Sequence, residues 1–289
     1  MIEKIITHPG GAHKDEFLAC SILLAEYPVV IFRQDPSEGD LLDPATAVID
    51  VGHRHEPGLY NFDHHQFPRD AKPTCSLSLV LDHYGIYKDA LTFCPWLEVA
   101  EWFDCRGPKD TAEWLGVERD TVGKLNSPID VSLLQAFARS DSHSPGEPVW
   151  ELMKMIGGEL LTYIRGLRAR IEQVAKVAEV WEINQQGKSG KVMFVPRLDH
   201  NIDEISGAMG WHVKELGMEE DIVALVYPDS RGEGYGMKRF NDRPEMDFSR
   251  IGNEPEVRFA HARGFIAKVE PVEIQRAKEL LFKAFESKT

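Results

Sequence analysis

Apolar, β-branched runs that alternate with helical periods constrain the fold of this chain more than any other feature. Lys4–Thr7, Val29–Arg33 and Thr46–Val51 are short runs rich in Ile, Val and Thr. They lack the polar alternation of a half-exposed strand, and such runs suit strands covered on both faces of a parallel sheet. Between and after them, Asp15–Tyr27 carries Phe17, Leu18, Ile22 and Leu24 near helical spacing. Ser76–Tyr84 reads as a helix stopped by Gly85, and Trp96–Phe103 and Val131–Arg139 read as helices too. The alternation predicts an α/β fold whose N-terminal domain holds a mainly parallel sheet.

A long helical stretch follows from Val149 to Val180, where Gly157-Gly158 is expected to interrupt it. The pattern then restarts. Lys191–Val195 and Asp221–Tyr227 read as strands, Asp203–Leu216 and Val272–Phe285 as helices. Gly232–Gly236 reads as a turn or a glycine-rich approach to a ligand. The expected division is an N-terminal domain over 1–145, a helical linker over 146–182 and a smaller C-terminal α/β domain over 183–289.

The chain has 289 residues and a formal net charge of -14. That charge argues against a protein that coats nucleic acid through a basic surface. It leaves room for a short single-stranded nucleic acid or a small phosphorylated molecule, because bound cations invert the local charge of an acidic site. The four cysteines form no C-x-x-C pair, so free thiols are expected. No run approaches the ~20 apolar residues that span a bilayer. The start of the chain leads into a strand-like run with no signal-peptide pattern, which favours the cytoplasm and no membrane partner.

Four acid- and histidine-containing clusters fall at the ends of these elements. The first is Thr7-His8-Pro9-Gly10-Gly11-Ala12-His13-Lys14-Asp15-Glu16, between a strand and a helix. Ligands of open α/β sheets bind at such carboxyl ends. The alternative is that Asp15 only caps the helix and the histidines lie at the surface. The second is Asp50, closing the strand run Ala47–Ile49. The third is Asp63-His64-His65-Gln66. Neighbouring side chains of an extended segment point apart, so His64 and His65 are expected to do different jobs. Asp63 is placed to fix an imidazole tautomer. The fourth is Asp104, with Cys105 beside it. Mixed imidazole and carboxylate donors suit Mn, Fe, Co or Zn better than Ca or Mg.

Asp63-His64-His65 resembles the signature of the DHH phosphoesterase superfamily, and the chain as a whole resembles its melanocyte proliferating gene one family. Thr7-His8 with His13-Lys14-Asp15-Glu16, Phe62–Gln66, Thr74–Gly85 and Phe259–Ile266 carry that resemblance, in order, over nearly the whole chain. It implies two domains, the first of DHH type, and His8, His13, Asp15, Asp50, His64 and Asp104 as ligands of two divalent cations, with manganese the first choice. Asp50 would bridge them. His65, Asp63 and Asp50 would serve catalysis. His261, Arg263 and Gly264 would bind substrate from the second domain, with Lys238 and Arg239 as weaker contacts. The activity implied is that of a metal-dependent phosphodiesterase, a 3′–5′ exonuclease on RNA or short oligonucleotides. The sequence departs from the family at Gly11-Ala12, at Asp104–Gly107 and at Arg263, which leaves the ligand positions filled and substrate choice open.

Two other functions compete with this one. A phosphatase or pyrophosphatase for small molecules would suit the acidic charge, and a scaffold that binds metal without turnover would need no substrate. A homodimer is the default assembly. His53 and His55 are expected in a polar loop, with accessory ligands or groups supporting the ligands as the alternative, and His83, His143, His200 and His212 are expected to be structural or superficial. Trp96, Trp102 and Trp114 sit in or near helical patterns and are expected to be core or packing residues rather than base-stacking platforms.

Overall fold

A computed structural model describes residues 1–124, 127–185, 188–199 and 202–285. His200 lies outside the described residues. The chain divides into two compact units, Met1–Gly166 and Leu167–Thr289.

The first unit holds β1 (Lys4–Thr7), α1 (Lys14–Glu26), β2 (Val30–Arg33), α2 (Glu38–Leu42), β3 (Thr46–Ile49), β4 (His55–Glu56), β5 (Asn61–Phe62), α3 (Ser76–His83), α4 (Tyr87–Phe93), α5 (Trp96–Leu115), α6 (Arg119–Lys124), α7 (Pro128–Ala138), β6 (Ser142–His143) and the first half of α8 (Pro148–Val177). Its sheet has the order β4-β5-β3-β1-β2-β6. The four central strands pair in parallel, and only β4 and β6 at the edges are antiparallel. The mainly parallel sheet expected from the apolar runs is therefore present. Ile5, Ile6, Ala47, Val48 and Ile49 are all fully buried, as helices on both faces require. Each of the isoleucine and valine side chains contributes about 1.5–3 kcal/mol by leaving water.

The expected interruption at Gly157-Gly158 does not occur, because α8 is continuous there. Gly157 serves close packing. A Cβ at that position would lie 1.9 Å from the Ser21 carbonyl oxygen of α1, so only glycine lets these helix backbones approach. The two units divide inside α8, between Gly166 and Leu167. The helix ends at Val177, and the strand that starts at Glu179 takes residues read as helical to Val180.

The second unit adds β7 (Glu179–Gln185), β8 (Lys188–Phe194), α9 (Ile205–Glu215), β9 (Ile222–Pro228), β10 (Tyr235–Arg239), β11 (Val257–Ala260), β12 (Ile266–Val269) and α10 (Ile274–Ala284). Its sheet runs β11-β12-β10-β9-β8-β7, with β8–β9 as the parallel pair and the other pairings antiparallel. Val192, Phe194, Val226, Met237, Leu280 and Leu281 are among the residues of its core. The Gly232–Gly236 run has a packing role. Arg197 donates to the carbonyls of Gly232, Glu233 and Gly234, and a Cβ at Gly234 would lie 1.8 Å from the Val269 oxygen.

The tryptophans correct another expectation. Trp96 and Trp114 are 40% and 36% exposed, and Trp114 stacks on Trp102 with ring centroids 4.9 Å apart. Among the described residues no helix is long and apolar enough to cross a membrane. All four cysteines are free.

Candidate metal centre

Strand register brings the candidate residues of the first unit together. Thr7 of β1 lies beside Ile49 of β3, and Ile49 beside Phe62 of β5. The next residue on each strand is His8, Asp50 and Asp63 respectively, so all three leave the sheet at one carboxyl edge. Asp50 turns there with φ 60°, a left-handed conformation that costs most side chains but which Asp tolerates. Ser76, at the start of α3, donates to Asp50 Oδ1 at 2.7 Å.

The loop after β1 is held from beneath by Arg33, the last residue of β2. Its buried guanidinium donates to the carbonyls of Gly10 and Gly11 and stacks on Phe137. Sequence reasoning missed this residue because it reads as the end of a strand. The loop delivers His13 as the N-cap of α1. The His13 N–H donates to both oxygens of Glu16, at 2.7 and 2.8 Å, which satisfies one of the free donors of the helix start. Asp15 is therefore not the cap. It lies in the first turn, 1% exposed, and neither of its oxygens meets a hydrogen-bond donor among the described residues. Asp104 comes from α5, which continues past Phe103 to a kink at Gly107, where φ is 75° and Pro108 follows.

These groups converge. His64 Nε2 lies 3.1 Å from Asp50 Oδ1 and 3.0 Å from Asp104 Oδ2, without the geometry of a hydrogen bond. His8 Nε2 lies 3.2 Å from Glu16 and 3.7 Å from Asp50, and His13 Nδ1 lies 3.6 Å from Asp104. Four overlapping groups result: His8, His13, Glu16 and Asp50; Asp50, His64 and His65; His64, Asp104 and Cys105; and His13, Asp15 and Asp104. Within each, the donor atoms lie within 4.8 Å of one another. The six sequence-predicted ligands all appear in these groups. His65, expected to face the phosphate, joins them, and Glu16 and Cys105 are additions. Glu16 was quoted only as part of a motif and reads locally as a cap. Cys105 has no ligand spacing in sequence and reaches His64 only through the fold.

The imidazoles are oriented from behind. His8 Nδ1 faces the Pro9 carbonyl at 2.9 Å, and a carbonyl can only accept, so that nitrogen carries the proton. His65 Nδ1 faces Asp63 Oδ1 at 2.7 Å. Cys105 Sγ donates to the Thr74 carbonyl, which leaves its sulfur 3.7 Å from His64 Nδ1 to accept from it. In His8, His64 and His65 an outer partner thus holds Nδ1 and leaves Nε2 as the donor atom, the arrangement that orients metal-binding histidines. Asp63 is fully buried and also accepts from the backbone N–H groups of His53 and His65. Its place is beneath His65, as a positioning group.

The electrostatics follow from that packing. Burial, and then the carboxylates of Asp50, Asp104 and Glu16, push Asp15 well above the usual carboxylate range. Burial alone would lower His64, but Asp104 and Asp50 overcome it and push the imidazole up to about 12. Glu16 raises His8 to about 9 against the opposing effect of burial. Burial would raise Asp63, but hydrogen bonds from His65 and His53 outweigh it and hold the group at about 2. Several buried carboxylates with too few cations create a strongly negative potential. It draws protons onto imidazoles, and a divalent cation would compete for the same Nε2 atoms. Buried, unpartnered carboxylate oxygens beside back-oriented imidazoles fit a bound cation.

His55 lies in β4, packed between Phe62 and Phe67, and not in a polar loop. His53 contributes its backbone N–H to Asp63, and neither ring belongs to the four groups. His143 is buried against Phe137, and His83 packs beside Tyr60 and Phe62.

The second-unit candidates form a cluster of their own. The Arg239 N–H donates to Phe265, Lys238 pairs in register with Ile266, and His261 stacks on Phe265 with centroids 4.0 Å apart. His261 Nδ1 accepts the Arg263 N–H. Gly264 has φ 69°, and a Cβ there would strike Asp247, so the turn from β11 to β12 requires glycine at that position. Arg263 is exposed and Arg239 reaches Asp242.

A parallel α/β unit with an acid–histidine cluster able to hold a metal at the carboxyl edge of its sheet is the class of protein that these elements define. The family model described as MYG1_exonuc, an uncharacterised protein family (UPF0160), matches residues 4–90, which contain β1 to α3 and all of the centre except Asp104 and Cys105. The MYG1 protein of Saccharomyces cerevisiae is 24% identical over 319 aligned positions, covering 92% of this chain and 91% of that protein. The MYG1 exonucleases of Rattus norvegicus and Homo sapiens are 40% and 39% identical over 67 residues, which cover 22% of this chain and 17% of each relative. The chain is thus similar to MYG1 proteins, over residues 4–90 in the family model and over most of its length in the yeast relative.

Proposed function

We propose that this protein is a metal-dependent phosphoester hydrolase, a phosphodiesterase that acts on RNA or short oligonucleotides in the manner of an exonuclease. The observation that carries the reading is Asp15, a buried carboxylate without a donor, surrounded by Asp50, Asp104 and Glu16 and faced by oriented imidazoles. Such a set is costly for a fold to retain unless a cation binds it. The name exonuclease given to the mammalian relatives supports the reaction class.

His8, His13, Asp15, Asp50, His64 and Asp104 would hold two divalent cations, manganese being the first choice for this mixed donor set. Bound cations of this kind acidify water and neutralise charge on a phosphoryl group. Asp50, at the centre of the groups and fixed by Ser76, would be shared between the cations. His65 is half-exposed, and Asp63 holds its Nδ1, which would leave Nε2 to donate to a phosphoryl oxygen. Raised by Asp63, the His65 imidazole holds its proton more firmly than a free histidine. His261, Arg263, Gly264, Lys238 and Arg239 would supply substrate contacts from the second unit.

Elemental analysis of the purified protein, paired with a manganese-supplemented assay on a 5′-labelled oligoribonucleotide and on bis(p-nitrophenyl) phosphate, tests the reading. Close to two metals per chain with turnover is the expected result, and Asp50→Ala should abolish both. Full turnover in metal-replete Asp50→Ala would overturn the site. The net charge of -14 favours a second reading, hydrolysis of small phosphorylated molecules. Faster turnover of pyrophosphate or nucleotide bisphosphates than of oligonucleotides would select it. Tight metal binding with no phosphoester turned over would select the scaffold.

A further inference from the structure

Two cavities of different chemistry meet at the metal-binding groups, and His13 and Asp104 line both of them. The smaller, about 370 Å³, adds His64 and His65 and three cationic side chains, Arg69, Lys72 and Arg106. The larger, about 770 Å³, adds Asp15 and is otherwise mostly apolar, with Leu18 of α1, Trp96 and Phe103 of α5 and Leu134 of α7 in its wall.

Helix α5 explains the larger cavity. Leu97 and Glu101 turn inward and are buried. Trp96, Val99, Ala100 and Phe103 stand at i, i+3, i+4 and i+7, so they share another face of the helix. A stripe of that spacing ordinarily packs into a core. Here all four line the cavity, and Trp96 and Phe103 remain 40% and 38% exposed. Two aromatic rings offered to an open space beside a phosphoester centre suit a planar, neutral group attached to the reacting phosphate. Pyrophosphate or a sugar phosphate would leave those rings uncovered. A nucleobase has a π-face for them and a polar edge for the paired Lys14 and Asp130 of the same wall.

We propose that the apolar cavity is a base-binding subsite for the nucleotide whose phosphate lies at His13 and Asp104, and that the cavity of Arg69, Lys72 and Arg106 receives the adjoining phosphate of the chain. This rests on the phosphoester reading and names its substrate as a nucleotide. Arginine and lysine suit that second role because nucleic-acid backbones are held mainly through their phosphates.

Calorimetric titration of the full chain in manganese, with adenosine 5′-monophosphate, ribose 5-phosphate and inorganic phosphate, tests the subsite. The base should tighten binding about tenfold or more over ribose 5-phosphate, the range of base–aromatic stacking. Trp96→Ala and Phe103→Ala should each bring that ratio toward one, and Trp96→Phe should restore most of it. Manganese content equal to that of the parent would show that the variants keep their fold. Equal affinity of the parent for the two sugar phosphates, no binding of either, or a ratio that survives both alanine variants would overturn the proposal. Turnover of bis(p-nitrophenyl) phosphate separates the two readings. Hydrolysis without base preference would remove the subsite and leave the hydrolase. Base preference without hydrolysis would keep the subsite and remove the hydrolase.

Discussion

Each unit buries carboxylates, and they are treated in opposite ways. In the second unit Asp229 is 3% exposed, and its oxygens receive Lys268 Nζ at 2.6 Å, Arg258 Nη2 at 2.7 Å and the Arg231 N–H at 3.2 Å. In the first unit Asp15 is buried as deeply and receives no donor among the described residues. A fold that uses a buried charge for structure supplies the counter-charges itself, as around Asp229. Where the chain withholds them, the negative potential is available to something else. The difference separates a structural carboxylate from a ligand-binding one more cleanly than burial does.

Asp15→Asn should produce the largest change and the one most able to break this contrast. It keeps the shape of the side chain and removes its charge. Manganese content by elemental analysis should fall below that of the parent, and phosphoester turnover with it. In excess chelator, however, the variant should melt no lower than the parent, and about 1 kcal/mol more stability is expected because a buried unpaired charge is gone. A clear drop in chelated stability would mean that Asp15 has a structural partner after all. The parent itself should gain about 2.7 kcal/mol when free manganese reaches a hundred times its dissociation constant.

Asp229→Asn should act with the opposite sign. Lys268 and Arg258 would face a neutral amide, and a loss of about 2 kcal/mol is expected, moderated because both cations are partly exposed. Its melting temperature should fall alike in chelator and in manganese, and its metal content should stay as in the parent. A metal-dependent effect would erase the distinction between the units.

Ser76→Ala is smaller and sharpens the account of the centre. Ser76 Oγ holds Asp50 at 2.7 Å from behind. Outer partners of this type are worth about 10–100-fold in metal affinity, and a loss near the lower end is expected because only one hydrogen bond goes. Competition with a fluorescent chelator would measure it. Unchanged affinity would mean that the left-handed turn at Asp50 orients the carboxylate unaided.

The same contrast sets what could be read from residues alone. His8 and Asp50 each follow an apolar run, so their strand-end placement is visible in the sequence; Asp63 follows the two-residue β5, which is not, and adjacency of β1, β3 and β5 turns three weak signals into one site. Glu16 and Cys105 were hidden for different reasons. Glu16 sits where a capping box wants a glutamate, so a local explanation concealed a buried role beside His8. Cys105 touches a residue 41 positions away, a contact that no spacing encodes. The two-residue strands β4, β5 and β6 are too short to show a period of two. The tryptophans of α5 were misread because helical spacing of apolar residues says that a stripe exists but not whether a core or a cavity lies opposite. Asp229 carries no local signal, because its partners Arg258 and Lys268 lie on β11 and β12, which pair only in the folded sheet.

Acid titration offers the finest test of the comparison, and its sign can be worked out. Burial would raise Asp229, but Lys268, the Arg231 N–H and Arg258 outweigh it and hold the carboxyl below its usual range. A depressed folded-state pKa contributes stability that is fully present above the unfolded value of about 3.9 and is lost as pH falls through the folded value. The parent should therefore lose this contribution below about pH 4, and Asp229→Asn should show a shallower acid limb in chemical denaturation. Asp15 has the opposite sign. With its folded-state pKa raised, its ionisation opposes folding, so in chelator the parent should lose stability as pH rises above about 3.9. Asp15→Asn should lack that loss. Two carboxylates buried to the same degree would then bend the stability curve in opposite directions, and a common direction would refute the division between the one that the chain neutralises itself and the one that it leaves for a cation.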